Sequence, residues 1–411
     1  MNIVDIINKK RVGAHLSFEE LKYAFNGYLN EKIESYQISS LLMAICINGM
    51  DDEEIIDLTK IFIDSGDVLD LSSIPGIKVD KHSTGGIGDK TSLVIAPIVA
   101  SLGVYMAKMS GRGLGYTGGT IDKLESIEGF KTGLTTDEFI SELKAIGMVI
   151  SSQTGNLTPL DKKIYALRDV TGTVESYPLI ASSVMSKKIA SGADKILIDL
   201  KVGSGALVHN MEDAKKLSDI MIKIGNGFNR ETRIMITDMN TPLGNNIGNS
   251  LEVIEAIDIL KGNIDNNLGH LCIELATNLV SMGKNISMET AKEEVINAIK
   301  DGMAYNKFLE FVSFQNGDIN SLKVSDKTIE IKSDVKGTIT KIDAKIIGEV
   351  SMKLGAGRIT KDDTIDHTVG IVLNKVVGDI VNPGEVLCTL YVNKIEEEFN
   401  VRDAFEIIEI I

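Results

Sequence analysis

The 411-residue sequence predicts an α/β fold: a parallel or mixed sheet with helices, preceded by a helical segment and followed by a small β-rich one. Three observations predict it. Residues 1 to about 65 show only helical periodicity. From Ile77 onward, short apolar runs alternate with helical patterns: IKV, VYMAKM, MVIS (148–151), KILIDLKV (195–202) and RIMITDM (233–239). Such alternation builds a sheet with helical crossovers. From about 330 to 395, GTITKIDA and VGIVLNKVVGDIVNPGEVLCTLYV are short β-rich runs cut by Gly and Pro.

The first helical stretch, MNIVDIINKKRVG, is amphipathic with early charges and does not read as a signal peptide. Ser17 is an N-cap whose capping box is completed by Glu20, and Asp51 with Glu54 repeats the pattern before Ile55, Ile56, Leu58 and Ile61. Gly66 to Gly76 reads as a linker. IKV is followed by a loop from Lys81 to Gly88, Asp89 to Leu102 is a helix, VYMAKM a strand, and SGRGLGYTGG a second loop before a helix from Thr120. Asp161 to Ala193 is helical again and is expected to rejoin the first helical layer.

Composition excludes several classes of function. Net charge is −15, there is no Trp, and aromatics are 5 %, so neither a basic footprint nor stacking platforms for nucleic acid are present. No apolar run is long enough to span a membrane. Cys46, Cys272 and Cys388 are distant and odd in number, as in a reducing cytoplasm. An acidic chain that takes a small anion needs a local positive pocket.

Two glycine-rich loops supply one. In Lys81-His82-Ser83-Thr84-Gly85-Gly86 a cation and hydroxyls precede a helix, so backbone N–H groups and Ser83 can cradle an anion. The second brings Lys108, Ser110, Gly111, Arg112 and Gly113, then Thr117, Gly118, Gly119 and Thr120. Each loop alone is equally an ordinary tight turn; two neighbouring βα loops of this kind point to one tetrahedral anion. GGIGDKTS is not a Walker loop, because Asp89 stands where G-x-x-x-x-G-K-[ST] needs Gly. Asp122 and Glu125 read as acids at a helix start or as partners of Arg112, not as an acid–base pair.

Ser183 and Lys187 share a helix face, and Arg168 ends the helix before them. Solvated helix residues show the same spacing, but such a group also suits a planar ring with carbonyl oxygens. The five histidines are scattered and without ligand spacing, which argues against zinc; His82, inside the first loop, is the exception to test.

SGRGLGYTGGTIDKLE (110–125) resembles the signature of the thymidine and pyrimidine-nucleoside phosphorylase family, and VDKHSTGGIGDK resembles its first phosphate loop. The likeness continues through LTPLDKKIYALRDVT, IASSVMSKKIASGADKILIDLKVGSGA and ITDMNTPLGNNIGNSLEV, over most of residues 1 to about 390. It implies a small all-α domain (1–65 with 163–193) facing a mixed-sheet α/β domain (66–162 with 194–329) across a cleft, a C-terminal domain (330–411), and a homodimer. It also implies reversible phosphorolysis of pyrimidine nucleosides to base and α-D-(deoxy)ribose 1-phosphate, in pyrimidine salvage.

By the same resemblance, Lys81, Ser83, Ser92, Lys108, Ser110 and Thr120 hold phosphate, while His82, Arg168, Ser183 and Lys187 hold the nucleoside. Of these, His82, Arg168 and Lys187 are the expected catalytic groups, with His82 the candidate proton donor. No cofactor is expected to be required. A potassium ion is implied at Gly88, residue 90, Leu243, Asn246 and Glu255, but Lys90 replaces a small residue there and puts the ion in doubt. Tyr116 stands where His is common, and thymidine-restricted relatives carry Met in place of Lys108. The competing readings are a thymidine-restricted phosphorylase, a phosphoribosyltransferase of the anthranilate-using type, which needs magnesium and paired acids, and a silent binding protein.

Overall fold

The computed structural model describes all residues except Leu114, Thr117, Thr154, Gly155, Lys361, 395–399 and 410–411. Thr117, expected on the second loop, therefore lies outside the described residues. Four helices open the chain: α1 (Ile3–Arg11), α2 (Phe18–Leu29), α3 (Ser35–Asn48) and α4 (Asp52–Ile63). Both predicted capping boxes form: Ser17 with Glu20 starts α2, and Asp51 with Glu54 starts α4. Glu54 also takes the buried Lys10 ammonium at 2.7 Å, so one carboxylate closes a helix end and neutralises a distant buried charge.

The alternating region follows: β1 (Lys78–Ser83), α5 (Thr91–Ser101), β2 (Tyr105–Ser110), α6 (Thr120–Glu125), α7 (Thr136–Ile146), β3 (Met148–Ser152), α8 (Pro159–Arg168), α9 (Tyr177–Ala190), β4 (Lys195–Val202), α10 (Met211–Gly227) and β5 (Glu231–Asp238). The sheet order is β3-β2-β1-β4-β5, and β2 pairs with β3 in parallel, Met106 opposite Met148 through Ser110 opposite Ser152. The order reverses between β1 and β4, the kind of switch point where α/β sheets receive ligands at strand carboxyl ends. Since β1 and β2 are neighbours, their following loops lie side by side.

Then come β6 (Asn246–Ile247), α11 (Asn249–Leu260), α12 (Asn267–Lys284), α13 (Met288–Lys300), α14 (Met303–Phe314), β7 (Thr328–Lys332), β8 (Gly337–Ile342), α15 (Ala344–Ser351), β9 (Gly370–Leu373), β10 (Ile380–Val381), β11 (Val386–Tyr391) and β12 (Phe405–Glu409). They form a three-stranded sheet, β10-β8-β12, and a four-stranded one, β6-β9-β11-β7. The predicted α/β class, with its leading helices and trailing β-rich part, is the fold observed.

By contacts the chain divides into two compact units: residues 1–82, 154–198 and 212–234, and residues 83–153, 199–211 and 235–411. In the first, Leu21, Phe25, Leu41, Leu58 and Phe62 from α2 to α4 share one core with Leu160, Ile164 and Leu179 from α8 and α9. In the second, α5 is buried from Thr91 to Ala100 and packs on α12 and α14, which explains its lack of any polar face.

Residues 66–76 carry no helix or strand and connect α4 to β1, as the linker reading expects, but they are packed: Leu69, Leu71 and Ile74 are buried, and Leu69 N–H donates to Ala190 O at 2.8 Å. One reading of the sequence needs correction: Lys81, His82 and Ser83 lie on β1, not in the loop. The strand continues past its apolar residues because its last positions carry polar side chains, which hide the alternation that strand recognition needs.

Candidate active site

In the second unit the first loop leaves β1 at Ser83, whose Oγ accepts from Gly85 N–H at 3.3 Å. Thr84 ties the loop to β4: its N–H donates to Asp199 O at 3.1 Å, and its Oγ1 accepts from Lys201 N–H at 2.9 Å. The loop then runs into α5, where Asp89 Oδ1 takes the Thr91 N–H and hydroxyl, and Ser92 sits in the first turn. The helix N-terminus thereby presents its N–H groups beside the loop.

The second loop leaves β2 at Ser110, two residues beyond the buried Lys108. Asp122 Oδ2 accepts from Gly113 N–H at 2.6 Å, and Arg358 Nη1 reaches Asp122 Oδ1 at 2.7 Å. Glu125 pairs with Arg112, so both acids are structural, as expected. Glycine is obligatory at 119, where a Cβ would lie 2.2 Å from Gly113 N. Thr120 opens α6 directly after it, half-buried, and Tyr116 is half-buried in the loop. Ser83 and Ser110 thus end β1 and β2, Lys108 lies inside β2, and Ser92 and Thr120 sit at the starts of the helices that follow the two loops.

In the first unit Lys81 is buried and His82 half-buried at the end of β1. Beneath them Asp80 holds Lys188 of α9 at 2.7 Å. The second predicted cluster is assembled by α8 and α9. Lys187 Nζ donates to Ser183 Oγ at 3.0 Å, the i,i+4 contact the spacing predicted. It also lies 2.5 Å from Asp161 Oδ2, a carboxylate 1 % exposed. The Tyr165 ring centroid is 5.9 Å from both the Arg168 guanidinium and Lys187 Nζ.

Arg168 is less free than its sequence position implied. Its Nε and Nη2 donate to Thr173 O and Val174 O at 2.9 and 2.6 Å, holding the turn between α8 and α9. Burial pulls its pKa below the ordinary value, against the opposing field of Asp161, yet an arginine stays charged. Asp161 and Tyr165 were missed in the sequence. Their signal was there, since both share a helix face with Arg168 at spacings of seven and three.

The potassium ligands meet, but not around an open position. Lys90 Nζ lies 3.0 Å from Leu243 O, 2.7 Å from Asn246 O and 2.5 Å from Glu255 Oε2. Gly88 O accepts from Lys90 N–H at 2.9 Å. The residues present do not fit a potassium ion, because the ammonium stands where these oxygens converge.

Residues 4–66 match the helical bundle domain of the glycosyl transferase family, 76–305 its a/b domain, and 338–410 the pyrimidine nucleoside phosphorylase C-terminal domain. A pyrimidine-nucleoside phosphorylase of Staphylococcus epidermidis is 52 % identical over 96 % of this chain and 92 % of its own. Those of Geobacillus stearothermophilus and Bacillus subtilis are each 50 % identical over 96 % of this chain and 93 % of theirs. An anthranilate phosphoribosyltransferase structure from Thermus thermophilus shares the fold at a TM-score of 0.59, covering 76 % of this chain and all of its own, with 15 % identity. Among the described residues no helix is long and apolar enough to cross a membrane. With half of its residues shared along nearly the full length, and with family models matching its helical, a/b and C-terminal parts, the chain belongs to the pyrimidine-nucleoside phosphorylase family of glycosyl-transferring enzymes.

Proposed function

We propose that this phosphorylase accepts both uridine and thymidine, as well as deoxyuridine, and releases the free base and α-D-(deoxy)ribose 1-phosphate, serving pyrimidine salvage as a cytoplasmic homodimer. The observation that carries the base side is the Arg168–Lys187–Ser183 cluster, with Asp161 behind Lys187. The glycosidic bond breaks with oxocarbenium character on the sugar and negative charge on the departing pyrimidine. Fixed donors aimed at that charge lower the barrier. Arg168 and Lys187 supply positive charge, Ser183 a hydroxyl, and Asp161 keeps the Lys187 ammonium oriented.

Phosphate attacks C1′ from the face opposite the base. Lys81, Ser83, Ser92, Lys108, Ser110 and Thr120 hold it, converting a bimolecular encounter into an oriented one. His82, following Lys81 on β1, delivers a proton to the base carbonyl or ring as charge develops. No step calls for a metal.

The deciding assay follows base release from uridine and thymidine with and without phosphate, in the presence of a magnesium chelator. Strictly phosphate-dependent cleavage of both supports the proposal. Equal release without phosphate identifies a hydrolase, magnesium dependence revives the phosphoribosyltransferase reading, and cleavage of thymidine alone makes the enzyme thymidine-restricted.

A further inference from the structure

We propose that the Lys90 ammonium is the resident cation of the first phosphate loop, a positioning residue that replaces a bound monovalent metal and makes the enzyme independent of potassium. An ammonium has three N–H donors and no acceptor. Lys90 faces three acceptors, one per donor: Leu243 O, Asn246 O and Glu255 Oε2. Its side chain is fully buried, so the charge must be paired where it stands, and Glu255 pairs it. The carboxylate is otherwise engaged, with Oε1 accepting from Asn245 N–H at 2.7 Å and Oε2 from Asn246 N–H at 3.0 Å. A second cation would share one carboxylate with an ammonium already in contact with it.

The backbone is shaped to this arrangement. Gly88 has φ +73°, and a Cβ there would lie 2.5 Å from Leu243 O, one of the acceptors. Gly244 has φ +74°, and a Cβ would lie 2.6 Å from Glu255 Oε2. Leu243 N–H also donates to Ile87 O at 2.9 Å. The ammonium therefore fastens the 84–90 loop and the start of α5 to the 243–246 loop and to α11. Those are the segments that place Ser83 and Ser92. Glu255 and Asn246 also line a cavity of about 510 Å³, which gives a small cation a route to the oxygens once the lysine is removed.

The test compares the wild-type protein and Lys90→Thr in potassium, sodium and tetramethylammonium chloride at equal ionic strength. Both the melting temperature and kcat/KM for phosphate are read. The wild type should melt at one temperature and turn over at one rate in all three salts. Lys90→Thr should lose roughly tenfold or more in kcat/KM for phosphate in tetramethylammonium. Potassium should restore most of that loss and raise the melting point by about 2–4 °C. The kinetic arm rests on the phosphorolytic reading; the melting arm does not, so the two can fail separately. A potassium-specific rise in wild-type melting temperature overturns the proposal even if the variant does not fold. So does a folded variant that keeps full activity, or one that potassium leaves unchanged.

Discussion

Lys90 and Arg168 are equally deep, at 1 % and 2 % exposure, yet their charges are handled in opposite ways. Lys90 has an acceptor for every donor, and one acceptor is a carboxylate. Arg168 is held by two neutral carbonyls, and among the described residues no carboxylate lies within ion-pair distance of it. A buried cation neutralised by its neighbours is a fastener. One fixed by neutral dipoles keeps its charge for something else, at the cost of its desolvation. Glu142 shows a third solution: buried in α7, with Oε1 unpartnered, it is pushed by burial up to about 8 and is held as the neutral acid.

The largest effect should come from removing a cation of the α8–α9 cluster, whether Arg168, held by neutral carbonyls, or Lys187, paired with Asp161. Arg168→Ala and Lys187→Ala should each lower kcat/KM for nucleoside by roughly tenfold to a thousandfold, with phosphate KM nearly unchanged. Near-normal steady-state turnover in Arg168→Ala would dissolve the distinction between the two buried cations. Asp161→Asn should cost about tenfold in kcat/KM for nucleoside, since Lys187 loses a charge-assisted contact while keeping Ser183. Isothermal phosphate binding should not move.

Lys108, buried on β2, tests whether a cation also sets sugar preference. An ammonium can donate to a ribose 2′-hydroxyl and a thioether cannot. Lys108→Met should depress uridine relative to thymidine by roughly tenfold in the ratio of kcat/KM values. An unchanged ratio removes Lys108 as the determinant.

The smallest effect is on stability. The folded-state pKa of Glu142 is raised above its unfolded value near 4.5, so between about pH 4.5 and 8 the native state binds the extra proton. Its contribution is fully present below that window and is lost as pH rises through about 8. Glu142→Gln should flatten that part of a pH–melting curve and melt higher than wild type at pH 8. Parallel curves would mean that Glu142 is charged and paired, like Lys90.

Local signals were legible in the sequence. The capping boxes at Ser17 and Asp51, the strand KILIDLKV and the Ser183–Lys187 face all depend on near neighbours, and all formed. The carboxyl half of β1 was not legible, because Lys81 and His82 interrupt its apolar pattern. Nor were the pairs Lys10–Glu54, Lys188–Asp80 and Arg358–Asp122, which join residues 44, 108 and 236 positions apart. Periodicity reports which face of an element is buried, not which distant charge meets it there. Lys90 shows both limits: its oddity was visible in GGIGDKTS, but that all three donors would be used required the folded chain.

The two-residue strand β6 decides where this chain can be cut. Residues 338–410 look like a detachable cassette by family boundaries. Yet Asn246 and Ile247 pair with Val372 and Ile371 of β9, Asn249 Nδ2 donates to Ala356 O at 2.9 Å, and Arg358 reaches Asp122. Truncation before 338 would strip an edge from beside the lysine box and an arginine from the second loop in one stroke. The C-terminal part is woven into the second glycine-rich loop and the 246–249 segment as weft into warp, so a graft from another protein would have to bring β9 and the 356–358 turn with it. The connection from β9 to β10 crosses from one small sheet to the other, with Gly378 N–H donating to Ile339 O at 2.8 Å on the way, so it belongs to the weave as well.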